Sequence, residues 1–460
     1  MENSQDKKLG TESIGKLIFS LALPAILAQL INVLYNIVDR IYIGHIPEIG
    51  DLALTGVGVT FPIIMLISAF SALAGMGGAP LASIKLGAGD KDEAEKILGN
   101  STTLLLIFSV ILTIVFMIFK EPLLYMFGAS DNTIVYGLDY ITIYLFGTIF
   151  VQFALGLNMY ISAQGFAKTA MLSVLIGAIT NIVLDPIFIF GFNMGVNGAA
   201  LATIISQCLS AIWVLYFLIS TKSKSIIKIK RKHLHINKKI ALSIIALGVS
   251  PFIMQATESL INIVLNSGLQ RYGNDLYVGS MTIMMSVMQL LVVPIQGLTQ
   301  GVQPIISYNY GAKNFDRVKK TFKLLIIISF TATTLGCLTI IIFPEIFVGM
   351  FTQKEELAVL TSQMIKIYMA GMWAFGLQMA CQSTFMGLGQ AKISLFLALL
   401  RKVVLLIPLA LLLPIKFGVN GIYYSEPIAD IVASFTTLTV FLLSYKKILS
   451  ESSINNSNIA

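Results

Sequence analysis

The sequence predicts an all-α polytopic membrane protein with twelve transmembrane helices in two pseudo-symmetric six-helix bundles. Three observations carry that prediction: an oily composition, an alternation of basic charge along the chain, and an internal repeat. Of 460 residues, 56% are hydrophobic and 12% charged, with mean hydropathy +0.84. A soluble chain carries roughly 25% charged residues. Apolar stretches of about 18 residues or more recur along the whole length, each long enough to cross a bilayer. They predict helices near 14–43, 52–80, 99–119, 134–160, 169–190, 196–219, 240–268, 277–306, 322–343, 361–385, 393–415 and 420–444.

Charge orients these spans. Of 31 Lys and Arg, 23 fall in the termini and alternate connections, against Arg40, Lys120, Arg271, Lys354 and Lys416 in the opposite ones. Basic loops stay in the cytoplasm, so both termini are expected there, in a bacterial cell membrane. The stretch "TKSKSIIKIKRKHLHINKK" (221–239) then reads as a topology determinant, with anionic-lipid contact as a second possibility. No aromatic basic face accompanies it, which argues against nucleic acid. The polar opening "MENSQDKKLG" precedes no short apolar segment with a cleavage site, so the first long helix is expected to act as an uncleaved anchor.

The repeat divides the chain. "GGAPLASIKLGAGDKDEAEK" (77–96) aligns with "GVQPIISYNYGAKNFDRVKK" (301–320), matching Pro80 to Pro304 and Gly87 to Gly311 at an offset of 224. "GFAKTAMLS" (165–173) aligns with "GLGQAKISL" (387–395) at the same offset, "GVNG" recurs at 195 and 418, and Pro24 meets Pro251. The expected organisation is a tail (1–13), a first lobe (14–220), the basic linker (221–239), a second lobe (240–445) and a second tail (446–460). Six helices per half give a parallel repeat, and two such bundles enclose a cleft that can open alternately to either side. The repeated glycines read first as turn and helix-end signals.

In-span acids are costly, about 2.5–3.5 kcal/mol each at mid-membrane on insertion scales. Asp39, Asp185, Glu258, Glu426 and Asp430 qualify. Asp185 follows Asn181 by one turn on the same face, and Pro186 predicts a broken or bent turn there. With Thr203 on the next helix, these oxygens suit a proton or a hard cation such as Na⁺. Asp39 could equally be an interfacial residue paired with Arg40. In the second lobe Glu258 stands in a polar seam with Gln255. Glu426 and Asp430 lie one turn apart around Pro427, suited to a proton or an organic cation, or to pairing with Arg401 or Lys402. Met288, Trp373 and Phe375 lie in Met- and aromatic-rich stretches that suit a promiscuous cation pocket.

No P-loop, nucleophile elbow or HExxH occurs, so an enzyme is not expected. Cys208, Cys337 and Cys381 read as buried small hydrophobes. His45, His233 and His235 have no third ligand at sensible spacing, so no structural metal site is expected.

Together, "LALPAILAQLINVLYNIVDRIYIG" (21–44), "NIVLDPIFIFG" (181–191), the following "GVNGAALAT" and "QPIISYNYGA" (303–312) make the chain resemble the MATE (multidrug and toxic compound extrusion) transporters, in particular their MepA-like branch. The resemblance covers nearly all of 10–445. It implies two six-helix lobes in a V and an antiporter, with no cofactor, exporting organic cations and other amphipathic drugs against an inward H⁺ or Na⁺ gradient. Working partners would be the lipid bilayer and small drugs, the chain acting as a monomer. It also implies a cation site at Asp39, Asn181, Asp185 and Thr203, and a role for the helix-seven acid, Glu258. Family members that pair that acid with an Asp on helix ten find no counterpart here, because 361–385 has no acid. A lipid-linked sugar flippase shares the general architecture, but usually lines its cleft with several bases.

Overall fold

The computed structural model describes residues 4–352 and 354–449, all of its regular elements helical. The tail residues 450–460 and 1–3 lie outside the described residues. Ten helices are long and apolar enough to cross a membrane, and the pair Ile134–Phe146 and Thr148–Ala163, bent by 63°, makes an eleventh span. The twelfth, 355–387, is divided by a tight turn at Met369–Gly371 between Glu355–Tyr368 and Met372–Gly387.

We number the twelve segments α1 (Ile14–Gly44), α2 (Phe61–Gly87), α3 (Lys91–Met126), α4 (the bent pair), α5 (Ala167–Gly191), α6 (Gly195–Ile219), α7 (Lys238–Tyr272), α8 (Asp275–Gly311), α9 (Phe315–Ile342), α10 (355–387), α11 (Ala391–Phe417) and α12 (Val419–Ile448). Several overrun the expected spans. α3 has 36 residues, about 54 Å at 1.5 Å per residue, against a hydrocarbon core of about 30 Å. Hydropathy sees only the buried middle, whereas capping sets the ends. Asp90 accepts from the Glu93 amide at 3.0 Å, and Asn237 caps α7 by accepting from Lys239 and Ile240. The expected 52–80 span divides into the short helix Gly50–Gly58 and α2.

The lobes are joined at one end and separate at the other. Two apolar cores, one built on Ile43, Ile141 and Leu145 and one on Leu265, Met284 and Tyr368, belong each to a single lobe. At the basic end the cores are shared. Ile240 and Ile244 of α7 pack into the first lobe's core, and Leu17 and Leu21 of α1 pack into the second's. Glycines allow this crossing. A Cβ on Gly77 would lie 2.2 Å from the Ile244 carbonyl, and one on Gly248 would lie 1.9 Å from that of Leu73. The repeat-related Gly87 and Gly311 meet Tyr308 and Ile84 across the seam at 1.9 and 1.8 Å in the same sense. These two glycines, expected as helix-end signals, are therefore also interlobe contacts, because only a missing side chain lets two backbones touch. Gln29 donating to Gln300 at 2.8 Å, and Phe70 edge-on to Phe252 at 5.0 Å, mark where the lobes part.

The linker is also more than a charged loop. Gln164 Oε1 accepts from the Ser225 hydroxyl and from the amides of Ile226 and Ile227, while Asn100 Oδ1 accepts from Asn237 at 2.7 Å. Ile226 and Ile227 are buried. Residues 221–239 thus form a strap fastened to the first lobe.

Candidate functional site

The first-lobe site is assembled by α1, α5 and α6. α5 does not break at Asp185: Pro186 keeps helical angles (φ −64°, ψ −30°), and the ladder widens into a π-helical turn only at Ile187–Gly191. The proline ring supplies no N–H, so the carbonyl four residues earlier loses its donor. The expected broken turn is therefore a widened one, shifted one turn outward. Gly195, with φ +53°, reverses the chain. Gly198 then lets α6 lean on the end of α5, since a Cβ there would lie 2.7 Å from the Phe188 carbonyl carbon. That contact sets Thr203 opposite Asn181.

All four expected residues meet. Asn181 Nδ2 donates to Asp185 Oδ1 at 3.1 Å and to Thr203 Oγ1 at 3.4 Å. Asp39, from α1, brings its carboxyl within hydrogen-bonding reach of that of Asp185. Arg40 turns away and lies over the Phe61 ring at 5.3 Å, so the Asp39–Arg40 pairing is not made. Asp185 is fully buried, and Asn181 and Thr203 nearly so. Asp39 Oδ1, Asp185 Oδ2 and Asn181 Oδ1 have no hydrogen-bond partner. Among the described residues, no base pairs with either carboxyl. Two buried carboxyls in such proximity do not both stay ionised without a countercharge: either one holds a proton or a cation lies between them. Tyr140, buried on α4, places its hydroxyl beside Thr203 and closes the site. Sequence reasoning missed it because an aromatic on an apolar helix carries no signal of its own.

The second lobe solves the same problem differently. Arg401 Nε donates to Asp430 Oδ1 at 2.7 Å, and its Nη2 reaches Glu426 Oε1 at 3.0 Å. Its guanidinium lies 5.0 Å above the Phe375 ring. Lys402 Nζ donates to Glu258 Oε2 at 2.6 Å, and the Glu258 side chain is 35% exposed. All three second-lobe acids are thus ion-paired, which for Glu426 and Asp430 is the alternative weighed from the sequence and for Glu258 was not expected. Phe375 is buried beneath Arg401, and Trp373 packs edge-on between Phe330 and Phe435. Gln255 and Met288 are half-buried on α7 and α8. Met288, Trp373 and Phe375 all pack into the second lobe's own core.

Cys208, Cys337 and Cys381 are free, the last two buried. The strap holds a constellation that sequence spacing hid: ligand-type atoms of Asp92, Glu95 and His233 lie within 4.8 Å of one another. Lys230 pairs with Glu95, and Lys96 and Lys232 pair with Asp92. Three ammonium groups thus compensate the two acids, and the knot fastens the strap to α3.

Fold and site together define a class: a multi-pass helical membrane protein of two lobes joined at one end, with an uncompensated carboxyl pair inside one of them. The MatE family model matches residues 24–187 and 251–412, one stretch in each lobe, and the chain belongs to the MatE family. Among curated relatives, the multidrug export protein MepA of Staphylococcus haemolyticus (strain JCSC1435) is 28% identical over 430 residues, 93% of each chain. MepA of Staphylococcus aureus (strain NCTC 8325 / PS 47) is 26% identical over 435 residues, again 93% of each. Among solved structures, a MATE protein crystallised in the bent conformation superposes with TM-score 0.90 at 24% identity, covering 97% of this chain and 98% of that one. The outward-facing conformation of a multidrug resistance MATE family transporter of the MOP superfamily gives 0.88 at 24% identity, over 97% and 99%. The architecture is the MATE fold.

Proposed function

We propose that the protein is a secondary multidrug exporter, expelling organic cations and other amphipathic drugs in exchange for inward H⁺ or Na⁺ as its two lobes rock. The observation that carries this reading is the Asp39–Asp185 pair with its unpartnered oxygens. It is a site whose charge balance requires a small mobile cation, and it sits where α1 can respond to occupancy. The printed names of the relatives, multidrug export proteins, supply the substrate class.

Occupancy couples to shape through α1. The carboxyls repel when both are charged and share a hydrogen bond when one is protonated. A sodium ion could instead take carboxylate oxygens together with those of Asn181 and Thr203. Because α1 also packs into the second lobe's core at Leu17 and Leu21, a change in its upper half bears on the seam. With the basic end cytoplasmic, the joined end faces inward and the cleft opens outward, the state that would release drug and load the cation. Glu258, partly exposed and held by Lys402, is the second-lobe acid best placed to meet a cationic drug. A lipid-linked sugar flippase fits less well, because both interior bases of the second lobe, Arg401 and Lys402, are already engaged by carboxylates.

Vesicles containing the purified protein test this, with sodium and proton gradients imposed separately and ethidium flux recorded. Flux that follows one gradient and vanishes when it is dissipated supports the exporter and identifies its ion. Flux indifferent to both sinks it.

A further inference from the structure

The carboxyl pair is not the end of the polar interior. On its basic-end side, a cavity of about 40 Å³ lies among α1, α4, α5 and α6. Asn181 and Thr203 line one end of it and Ser173 and Ser210 the other, with Asn32, Gln207 and further polar groups between. From Asn181 to Ser173 is about 12 Å along α5 at 1.5 Å per residue. From Ser173 to Ala167, the basic end of α5, is about 9 Å more. Beside that last stretch Asn158 donates to the Ala170 carbonyl at 3.2 Å and leaves its own Oδ1 buried and unpartnered.

Of the unpartnered buried acceptors, Asn181 Oδ1 belongs to the lining itself, while Asp185 Oδ2 lies one turn beyond its upper end and Asn158 Oδ1, beside Ala170, about one turn beyond its lower end. Such groups are rare in folded proteins unless water satisfies them, and a cavity of this size has room for about two or three waters. Gly177 sets the bore, since a Cβ there would lie 2.5 Å from Ser210 Oγ.

We infer that this cavity is a hydrated branch through which the coupling cation, a proton or a sodium ion, passes between the carboxyl pair and the basic face without entering the cleft. Drug-sized pockets run to roughly 300–1,000 Å³, so the branch is closed to drugs. Ion and drug then travel by separate routes, which prevents the ion from leaking back through a drug-filled cleft.

The inference rests on the exporter reading, and one experiment separates the two. Wild type, G177A, G177V and Q207L are reconstituted for gradient-driven ethidium flux, with ethidium binding titrated on the solubilised proteins. Flux is expected to fall in the order wild type, G177A, G177V, by at least about tenfold for valine, a barrier of about 1.4 kcal/mol. Ethidium affinity should stay within about twofold, a few tenths of a kcal/mol. Q207L, which removes polarity without adding bulk, should slow flux as well, and it decides the matter alone if G177V does not fold. Wild-type flux in G177V and Q207L overturns the branch and leaves the exporter standing, as does a parallel loss of binding and flux. A wild type without gradient-driven flux overturns the exporter reading and the branch with it. Separate proton and sodium arms identify the cation.

Discussion

The fifth helix of each lobe carries a π-helical turn, Ile187–Gly191 in α5 and Leu400–Leu406 in α11, yet the two helices bring opposite charge to the interior. α5 brings Asp185, which meets Asp39 and no base among the described residues. α11 brings Arg401 and Lys402, and three acids close on them. At the repeat offset of 224, Arg401 stands where the first lobe has Gly177, the residue that keeps the cavity open. One lobe therefore fills this position with a guanidinium and satisfies its acids internally. The other leaves space and unpartnered oxygens. A duplicated fold gives two equivalent cages, and among the described residues only the second lobe's cage supplies its own countercharge.

The largest effect should come from removing that need. D185N is expected to reduce gradient-driven ethidium flux to the level of empty vesicles, because an amide can neither release a proton nor balance a cation. Wild-type flux in D185N, together with its loss in E426Q, would reverse the comparison.

Next in size, R401M should destabilise the second lobe by about 3–5 kcal/mol, since it leaves Glu426 and Asp430 buried without a base. Unfolding in detergent measures the loss. The R401M/E426Q/D430N triple variant should recover most of it, and failure to recover would show that Arg401 acts through packing on Phe375 and not through charge.

Where the lobes are alike, equivalent changes should match. G87A and G311A each place a Cβ within 2 Å of a backbone carbonyl across the seam, and overpacking of this kind costs about 1–3 kcal/mol. Spin-label distances should show the basic end loosened to a similar degree in both. A strong asymmetry would mean that only one lobe carries the hinge.

The smallest effect is expected from K402M. Lys402 is buried, but its partner Glu258 is 35% exposed, so water can solvate the carboxylate left behind and the loss should stay at about 1 kcal/mol. Stability should barely change, while apparent affinity for a cationic drug rises because the internal competitor is gone. Unchanged or weaker affinity would remove Glu258 from the drug path.

Much of this was legible in the chain. Hydropathy located the spans, the offset of 224 divided them into lobes, and the cost of a buried carboxyl singled out Asp39, Asp185, Glu258, Glu426 and Asp430. Less legible was which of these acids is compensated. Arg401 with Glu426, and Lys402 with Glu258, are separated by 25 and 144 residues, and no local pattern says whether such groups meet. Tyr140, the Gly177 bore and the Asp92–Glu95–His233 knot were missed for the same reason: each is an ordinary residue until another helix is laid against it.

The sequence by itself determined the environment, the number of spans, the duplication and the residues too polar for their place, because transfer free energy and helical periodicity are local properties. Only the tertiary structure decided which carboxyls stay uncompensated, where the lobes touch and where water can stand between helices. Charge pairing, close backbone approach and cavities are relations between distant segments, and they exist only once those segments are packed.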